Sequence, residues 1–251
     1  MKTVAIFALA SLLSWAAAAQ NAPKKSPPSA SATPAAPAST SGTGANLEAV
    51  LDRMDQTAKT FKTAEADFVW DQYERVVDSH DKQSGKIFFR RQGGELEMGA
   101  HITSPTEKFV VYGKDMVRLY EPRINQITEY STGKNKAEFE SFLVLGFGGR
   151  GHDLKNNFSV RGLGSEAVEG VPADKLELVP NTEKARKVFA KIYLWIDARG
   201  ISVRQMFMES AEPGGNFRDA MYRNIKLNQN VSGDNFKLKT TGKPKIVRPQ
   251  G

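Results

Sequence analysis

The side chains best suited to chemistry are scattered along this sequence rather than grouped. Its three histidines, His80, His101 and His152, are widely separated, and none has a partner at the spacing of a zinc site or a histidine-based dyad. The acidic pair Glu138 and Glu140 stands among other charged residues, without a spacing that nominates it for catalysis. We therefore expect no enzyme, no metal site and no other cofactor.

A glycine-rich segment, Gly146-Phe147-Gly148-Gly149-Arg150-Gly151, satisfies the G-x-G-x-x-G spacing of dinucleotide-binding loops. In those loops the glycines follow a strand and open a helix, so that the phosphates meet the helix N-terminus. Here the pattern predicts a helix before the segment and no clear helix after it. A loop that ends a helix is the better interpretation, and neither a Walker loop nor a G-x-S-x-G elbow occurs elsewhere.

The charge balance and the lack of cysteine exclude further classes of function. The chain carries a formal net charge of +7 and contains no cysteine. Disulfides, thiol catalysis and cysteine-ligated metals are therefore excluded, and so is acylation of an N-terminal cysteine. The basic excess favours anionic surfaces or acidic partners. We expect a monomer with no nucleic-acid partner.

Both ends of the chain differ in composition from its middle. Lys2, the apolar run 4–15 and the small residues Ala17, Ala18 and Ala19 are typical of a signal peptide, which we place at residues 1–19. Residues 20–45 predict a disordered linker rich in Pro, Ala and Ser. Residues 240–251 predict a basic tail, for which a solvated state is favoured over a docking strip. Cleavage and export would place the protein in the periplasm or outside the cell.

Between these ends, residues 46–239 predict a single β-rich domain. It opens with a helix, because the apolar residues within 47–61 recur at helical spacing. A second helix is predicted over residues 136–145. The other apolar residues alternate with period two, as in 64–70, and short turn-like gaps separate these runs. Such gaps imply antiparallel neighbours.

About ten antiparallel strands could form a sandwich, a closed barrel or one curved sheet. Two helices that interrupt the strands favour the curved sheet. We predict a mainly β (α+β) fold, a strongly curved antiparallel half-barrel with helices covering its concave face. Two short helices cannot fill that face tightly, so we expect a hydrocarbon-binding pocket there. Its predicted lining is Phe68, Trp70, Phe89, Met98, Val110, Leu119, Phe139, Phe142, Phe189 and Met206.

Five segments match, in order, the motifs of one known family. LEAVLDRMDQTAKTFKTAEADFVW matches an amino-terminal helix and first strand, and GKIFFRRQ matches a strand that ends in a basic residue. YGKDMVRLYEPRINQ and LWIDARGISVRQ match two hairpins, and YRNIKLNQNVSGDNFKLK matches a closing strand. Over residues 47–239 the chain thus resembles the LolA family of outer-membrane lipoprotein carriers.

This resemblance implies a half-barrel closed by helices that carries lipoprotein acyl chains through the periplasm. The implied partners are an inner-membrane transporter and an outer-membrane acceptor, and the implied task is transfer rather than catalysis. In the family, a basic residue at the end of the second strand holds the helical lid shut through hydrogen bonds to backbone. Arg91 matches that position, although Gln92 stands where the family usually has proline.

Three other functions are compatible with the same pattern. The protein could carry a lipid that is not part of a lipoprotein. It could be a lipid-sensing periplasmic regulator of the same fold, although such regulators usually have a second domain. It could also be a binding module for envelope polymers that uses its basic tail as the contact.

Overall fold

The computed structural model describes residues 45–133, 136–210 and 215–249. The predicted signal peptide and nearly all of the predicted linker lie outside these ranges. The helices are α1 (Ala45–Thr60), α2 (Lys136–Leu143), α3 (Leu154–Asn157) and α4 (Glu183–Arg186), with 3-10 turns at Pro122–Ile124 and Gly233–Phe236. The strands are β1 (Thr63–Glu74), β2 (Ser79–Gln92), β3 (Glu95–Ser104), β4 (Lys108–Gly113), β5 (Met116–Glu121), β6 (Gln126–Ser131), β7 (Phe158–Val168), β8 (Val171–Pro180), β9 (Phe189–Asp197), β10 (Ser202–Glu209), β11 (Phe217–Leu227) and β12 (Lys245–Val247). Every helix within the described ranges is too short or too polar to cross a membrane.

The strands of the described chain form one curved, open sheet. Their order is β12-β6-β5-β4-β3-β2-β1-β11-β10-β9-β8-β7. Each neighbouring pair is antiparallel except β12 and β6, which are parallel. Strands that follow each other after a short gap are antiparallel because a hairpin can join only antiparallel neighbours. The predicted mainly β fold with a curved antiparallel sheet is confirmed.

The connection from β6 to β7 has to cross the whole sheet. β7 forms one edge, whereas β6 lies next to the opposite edge. The connection runs over the concave face, where Phe139, Leu145 and Phe147 are buried in the core. We define residues 136–157, which contain α2, the glycine-rich loop and α3, as the crossover segment. The strand order therefore places a helical cover over the concave face.

Helix α1 covers the part of the concave face that the crossover segment leaves open. Its residues Val50, Leu51 and Met54 are almost fully buried and pack against Leu176 and Leu194 of β8 and β9. This buried stripe has the helical spacing that the sequence pattern indicated. Together, α1 and the crossover segment divide the concave core into two apolar clusters.

The chain that follows β11 differs from the expectation of a solvated tail. Phe236 packs on Phe88 on the convex face of the sheet, and Lys245–Val247 form β12 beside β6. Arg248 donates to Glu129 of β6 at 2.9 Å. The backbone of this tail is therefore paired, while its side chains stay mostly exposed. A three-residue edge strand has no buried face, so no apolar periodicity marked it in the sequence.

Candidate functional site

A cleft of about 160 Å³ lies between the concave face and helix α2. The sheet contributes the apolar side chains Trp70, Ile87, Phe89, Phe189, Phe207, Ala220 and Tyr222. The crossover segment contributes Phe139, Phe142, Leu143 and Phe147. The remaining lining residues are polar, namely Asp71, Gln72, Asp81, Gln83, Gln205, Arg218 and Asp219. Such a largely apolar surface with a few polar groups is typical of a small-molecule site.

The strand register arranges the cleft from a polar rim to an apolar interior. Cross-strand partners lie on the same face of a sheet. Gln72 of β1 pairs with Arg218 of β11 and with Asp81 of β2, so these residues form one polar row. Two residues back along β1, Trp70 pairs with Ala220 and with Gln83, and Ala220 pairs with Gln205. This inner row is therefore apolar at its centre and has a buried glutamine on each side.

The crossover segment is held to the sheet by aromatic packing and a buried amide. The ring of Phe147 stacks on Phe89 at 5.2 Å and meets Tyr222 edge-on at 4.6 Å between centroids. The Gln205 Nε2 group donates to the backbone carbonyl of Leu145, and the Tyr222 hydroxyl donates to Gln205 Oε1 at 3.3 Å. Burial raises the pKa of Tyr222, so its phenol remains a neutral donor.

The glycine-rich loop serves close packing rather than phosphate binding. Gly146 and Gly148 have φ angles of 76° and 78°, which side chains rarely adopt. A Cβ atom at Gly146 would collide with Ser202, and one at Gly148 would collide with the ring of Phe61. The Ser202 amide donates to the Gly146 carbonyl at 2.8 Å. The glycines thus let the loop approach the sheet closely.

Polar contacts hold the start of α2 on the other side of the cleft. The Tyr112 hydroxyl donates to Glu140 Oε1 at 2.7 Å. Lys136 Nζ lies 2.8 Å from Asp115 and 3.0 Å from Glu95. Hydrogen bonds to these two carboxylates raise the pKa of Lys136. Because Lys136 is partly exposed, its ion pairs add little stability.

The family model for outer membrane lipoprotein carrier protein LolA matches residues 59–239. This chain belongs to the LolA family. The match covers well over half of the chain and confirms the resemblance inferred from the five segments. A search of curated protein sequences finds no match.

Solved structures similar to this LolA-family protein show the same fold at low sequence identity. MucB is 13% identical with a TM-score of 0.53, and the similarity covers 80% of this chain and 66% of MucB, just under two thirds of its length. An uncharacterized conserved protein from Thermus thermophilus is 15% identical with a TM-score of 0.50, covering 81% of this chain and 99% of the other. At these identities the likeness concerns the fold alone.

The structure brings half of the predicted pocket residues together at the cleft. Those that line it are Trp70, Phe89, Phe139, Phe142 and Phe189. Four more are buried in the core cluster beside the cleft without lining it, namely Phe68, Met98, Val110 and Leu119. Phe147 and Tyr222 were not predicted. The only sequence signal for Phe147 was its position between two glycines, because a loop has no hydrophobic periodicity.

Met206 does not reach the cleft, contrary to the sequence-based expectation. It packs with Trp195 and Val203 on the convex face, whereas its neighbours Gln205 and Phe207 line the cleft. The register of β10 against β9 shifts between Ser202 and Arg204. Such a bulge changes which residues of the strand face inward. Counting alternate residues along the sequence cannot reveal a bulge, so it cannot show that Met206 faces outward.

Arg91 lies at the end of β2 as expected, but it does not make the contact of a lid latch. Its side chain is exposed, and its guanidinium carbon lies 5.9 Å from the ring centre of Phe61. Within the described ranges, the Arg91 guanidinium donates no hydrogen bond to the crossover segment. In this LolA-family protein, the Gln205 side chain donates to the segment's backbone at Leu145, and the Asp55 carboxylate accepts from its backbone at His152. The latch role of Arg91 stays a prediction.

His152 ties the crossover segment to α1. Its Nδ1 lies 2.8 Å from Asp55 and its Nε2 lies 3.1 Å from Glu48. The carboxylates hold opposite ring nitrogens, so the three groups do not converge on one point as metal ligands would. Lys155 also pairs with Glu48 at 2.7 Å. Hydrogen bonds to Asp55 and then Glu48 raise the pKa of His152, which favours the imidazolium.

We expect this contact to weaken as the pH rises. In the folded protein the pKa of His152 lies above its usual value of 6.5. The stabilisation by the imidazolium is therefore complete below pH 6.5 and is lost as the pH rises through the pKa of the folded state. The Tm difference between wild type and H152Q should therefore shrink as the pH rises above about 6 and through the raised pKa of His152. Thermal unfolding followed by circular dichroism measures it.

A matched control is H101Q, which removes a histidine paired with Glu107 rather than with the crossover segment. Hydrogen exchange should also show protection of residues 150–155 falling over this pH range in wild type but not in H152Q. A Tm difference between wild type and H152Q that stays constant with pH would contradict the prediction.

Proposed function

We propose that this LolA-family protein is a periplasmic carrier that binds acyl chains of a lipoprotein or another lipid and transfers them towards the outer membrane. The observation that carries the proposal is the cleft between the concave face and α2, whose walls are mostly aromatic and aliphatic. A hydrocarbon chain would gain about 0.8 kcal/mol for each methylene buried there.

The size of the cleft implies that binding is coupled to movement of the crossover segment. Its volume is about 160 Å³. An apolar cavity of about 150 Å³ takes up a molecule the size of benzene, whereas ligand pockets usually measure roughly 300–1,000 Å³. The closed cleft therefore accepts only a short piece of an acyl chain. A longer chain requires α2 to move away from the sheet, which exposes Phe139 and Phe142.

The movement would break polar contacts of α2 such as those of Tyr112 with Glu140 and of Lys136 with Asp115. Net contributions of single hydrogen bonds are about 0.5–1.5 kcal/mol each. Burying ten methylenes would contribute about 8 kcal/mol, which exceeds the loss of several such bonds. A carrier needs this balance, since cargo must be able both to open the cover and to leave again. We base the proposed cellular setting on the signal peptide predicted for residues 1–19 and on family membership.

The test uses the mature chain from residue 20, purified without detergent. We expect it to bind a fluorescent fatty acid with one-to-one stoichiometry and to release it to acceptor vesicles faster than the fatty acid transfers unaided. Native mass spectrometry of protein taken directly from periplasm should show a co-purifying acylated species. No binding of the fatty acid at micromolar protein would exclude the carrier function. Binding without any acceleration of transfer would favour the lipid-sensing regulator instead.

A further inference from the structure

An arginine lies in unusual surroundings at the polar side of the cleft. Arg218 of β11 projects from the concave face, pairs in register with Phe207, and is only 23% exposed. One of its terminal nitrogens donates to Glu209 at 3.0 Å. Its Nε atom is buried and has no hydrogen-bond partner among the described residues. Buried donors are almost always paired in folded proteins, so this one calls for an acceptor.

The missing acceptor would sit where an acyl chain enters the cleft. Arg218 belongs to the polar row, and the next row inward contains Ala220 and Trp70. A guanidinium presents a planar fork of donors that fits phosphate oxygens on two adjacent nitrogens. In Arg218 one terminal nitrogen contacts Glu209, whereas Nε has no acceptor among the described residues. A phosphate bound at Nε would lie next to the row in which Trp70 and Ala220 stand between Gln83 and Gln205.

Carboxylates near this row disfavour a ligand that carries only negative charge. Asp81 is exposed and shares the row with Arg218 through Gln72, and Glu209 and Glu74 belong to the same face. Glu209 and Glu74 therefore face the Arg218 guanidinium, and Asp81 lies farther along the row. Adjacent strands lie about 4.8 Å apart, so the backbones of Arg218 and Asp81 are separated by about 10 Å. A ligand with a phosphate and a nearby cation fits both groups.

The other acidic lining residues do not add to this charge, because they are paired on the convex face. Asp219 binds Arg204 through two hydrogen bonds of 2.8 Å and 2.9 Å. Asp71 lies 2.8 Å from His80 and 3.5 Å from Lys82. Their charges are therefore compensated away from the cleft. On the concave side Arg218 pairs with Glu209, while Glu74 and Asp81 accept hydrogen bonds from uncharged amides.

We propose that the polar row binds the phosphoethanolamine headgroup of a phospholipid, with the phosphate on Arg218 and the ammonium on Asp81, while an acyl chain occupies the cleft. The inference rests on the proposed function, because it names the lipid class that the same cleft takes. The phosphate supplies the acceptor for the buried Nε atom. The ammonium reduces the repulsion that an anionic headgroup would meet from Asp81, Glu74 and Glu209.

The test compares three lipids with identical oleoyl chains: phosphatidylethanolamine, phosphatidylglycerol and diacylglycerol. Each is loaded from vesicles onto the mature chain, and the bound lipid is counted by native mass spectrometry in pairwise competition. We expect wild type to prefer phosphatidylethanolamine to each of the others by roughly tenfold. R218M should reduce phosphatidylethanolamine uptake to that of diacylglycerol. D81N should remove the preference over phosphatidylglycerol.

A matched control is R223Q on the same strand, which removes an exposed arginine paired with Glu169 and should leave all preferences unchanged. Free phosphoethanolamine should compete poorly, because it gains nothing from the cleft; binding as tight as that of the lipid would overturn the proposal. Equal uptake of the three lipids by wild type, or an unchanged preference in R218M, would also overturn it while leaving the carrier function intact. Failure to load any lipid would overturn both.

Discussion

Replacing Ala220 with phenylalanine should weaken binding of a fluorescent fatty acid by roughly 50-fold. Ala220 lies on the sheet side of the cleft, and its register partners are Trp70 and Gln205. A phenyl ring there would occupy much of the 160 Å³ that the closed cleft offers. Excluding three methylenes would cost about 2.4 kcal/mol, which corresponds to that change in affinity. Fluorescence titration of the mature chain measures it.

The fold should tolerate this substitution because the added ring enters existing space rather than a filled core. The far-ultraviolet circular dichroism spectrum and the Tm of A220F should remain close to those of wild type. M221F adds bulk at the next residue, on the convex face, and should bind the fatty acid normally. If A220F binds as tightly as wild type, hydrocarbon does not enter this cleft.

Replacing Phe147 with alanine should destabilise the folded protein by about 3–5 kcal/mol. Phe147 is 1% exposed and lies between Phe89 and Tyr222, so its removal leaves a cavity and ends two ring contacts. It is also the aromatic anchor that joins the crossover segment to the sheet. The free energy of unfolding in urea, extrapolated to water, measures the loss.

F109A provides the comparison, because Phe109 stacks on His101 on the convex face and is only partly buried. Its effect should be clearly smaller than that of F147A. F147A should also increase hydrogen exchange throughout residues 144–153, since the loop loses its anchor there. A loss of stability below about 1 kcal/mol for F147A would mean that the loop contributes little to the core.

The sequence by itself determined the class of fold, the family and the position of the main helices. Period-two alternation and short gaps are local properties, so residues 64–70 could be assigned to an antiparallel strand without coordinates. The same applies to α1, whose stripe from Val50 to Met54 is buried as its spacing indicates. Half of the predicted pocket residues line the cleft: Trp70, Phe89 and Phe189 on the inner face of strands, and Phe139 and Phe142 on α2.

Only the tertiary structure decided which side chains meet at the cleft and what closes it. A register shift in β10 turned Met206 outward and Phe207 inward, and a bulge depends on the neighbouring strand rather than on local sequence. The contact of Gln205 with the Leu145 carbonyl joins residues 60 positions apart. Arg218 and Asp81 share one row because β1 lies between their strands. Strand order and register create these contacts, and neither can be obtained from the residues of one segment.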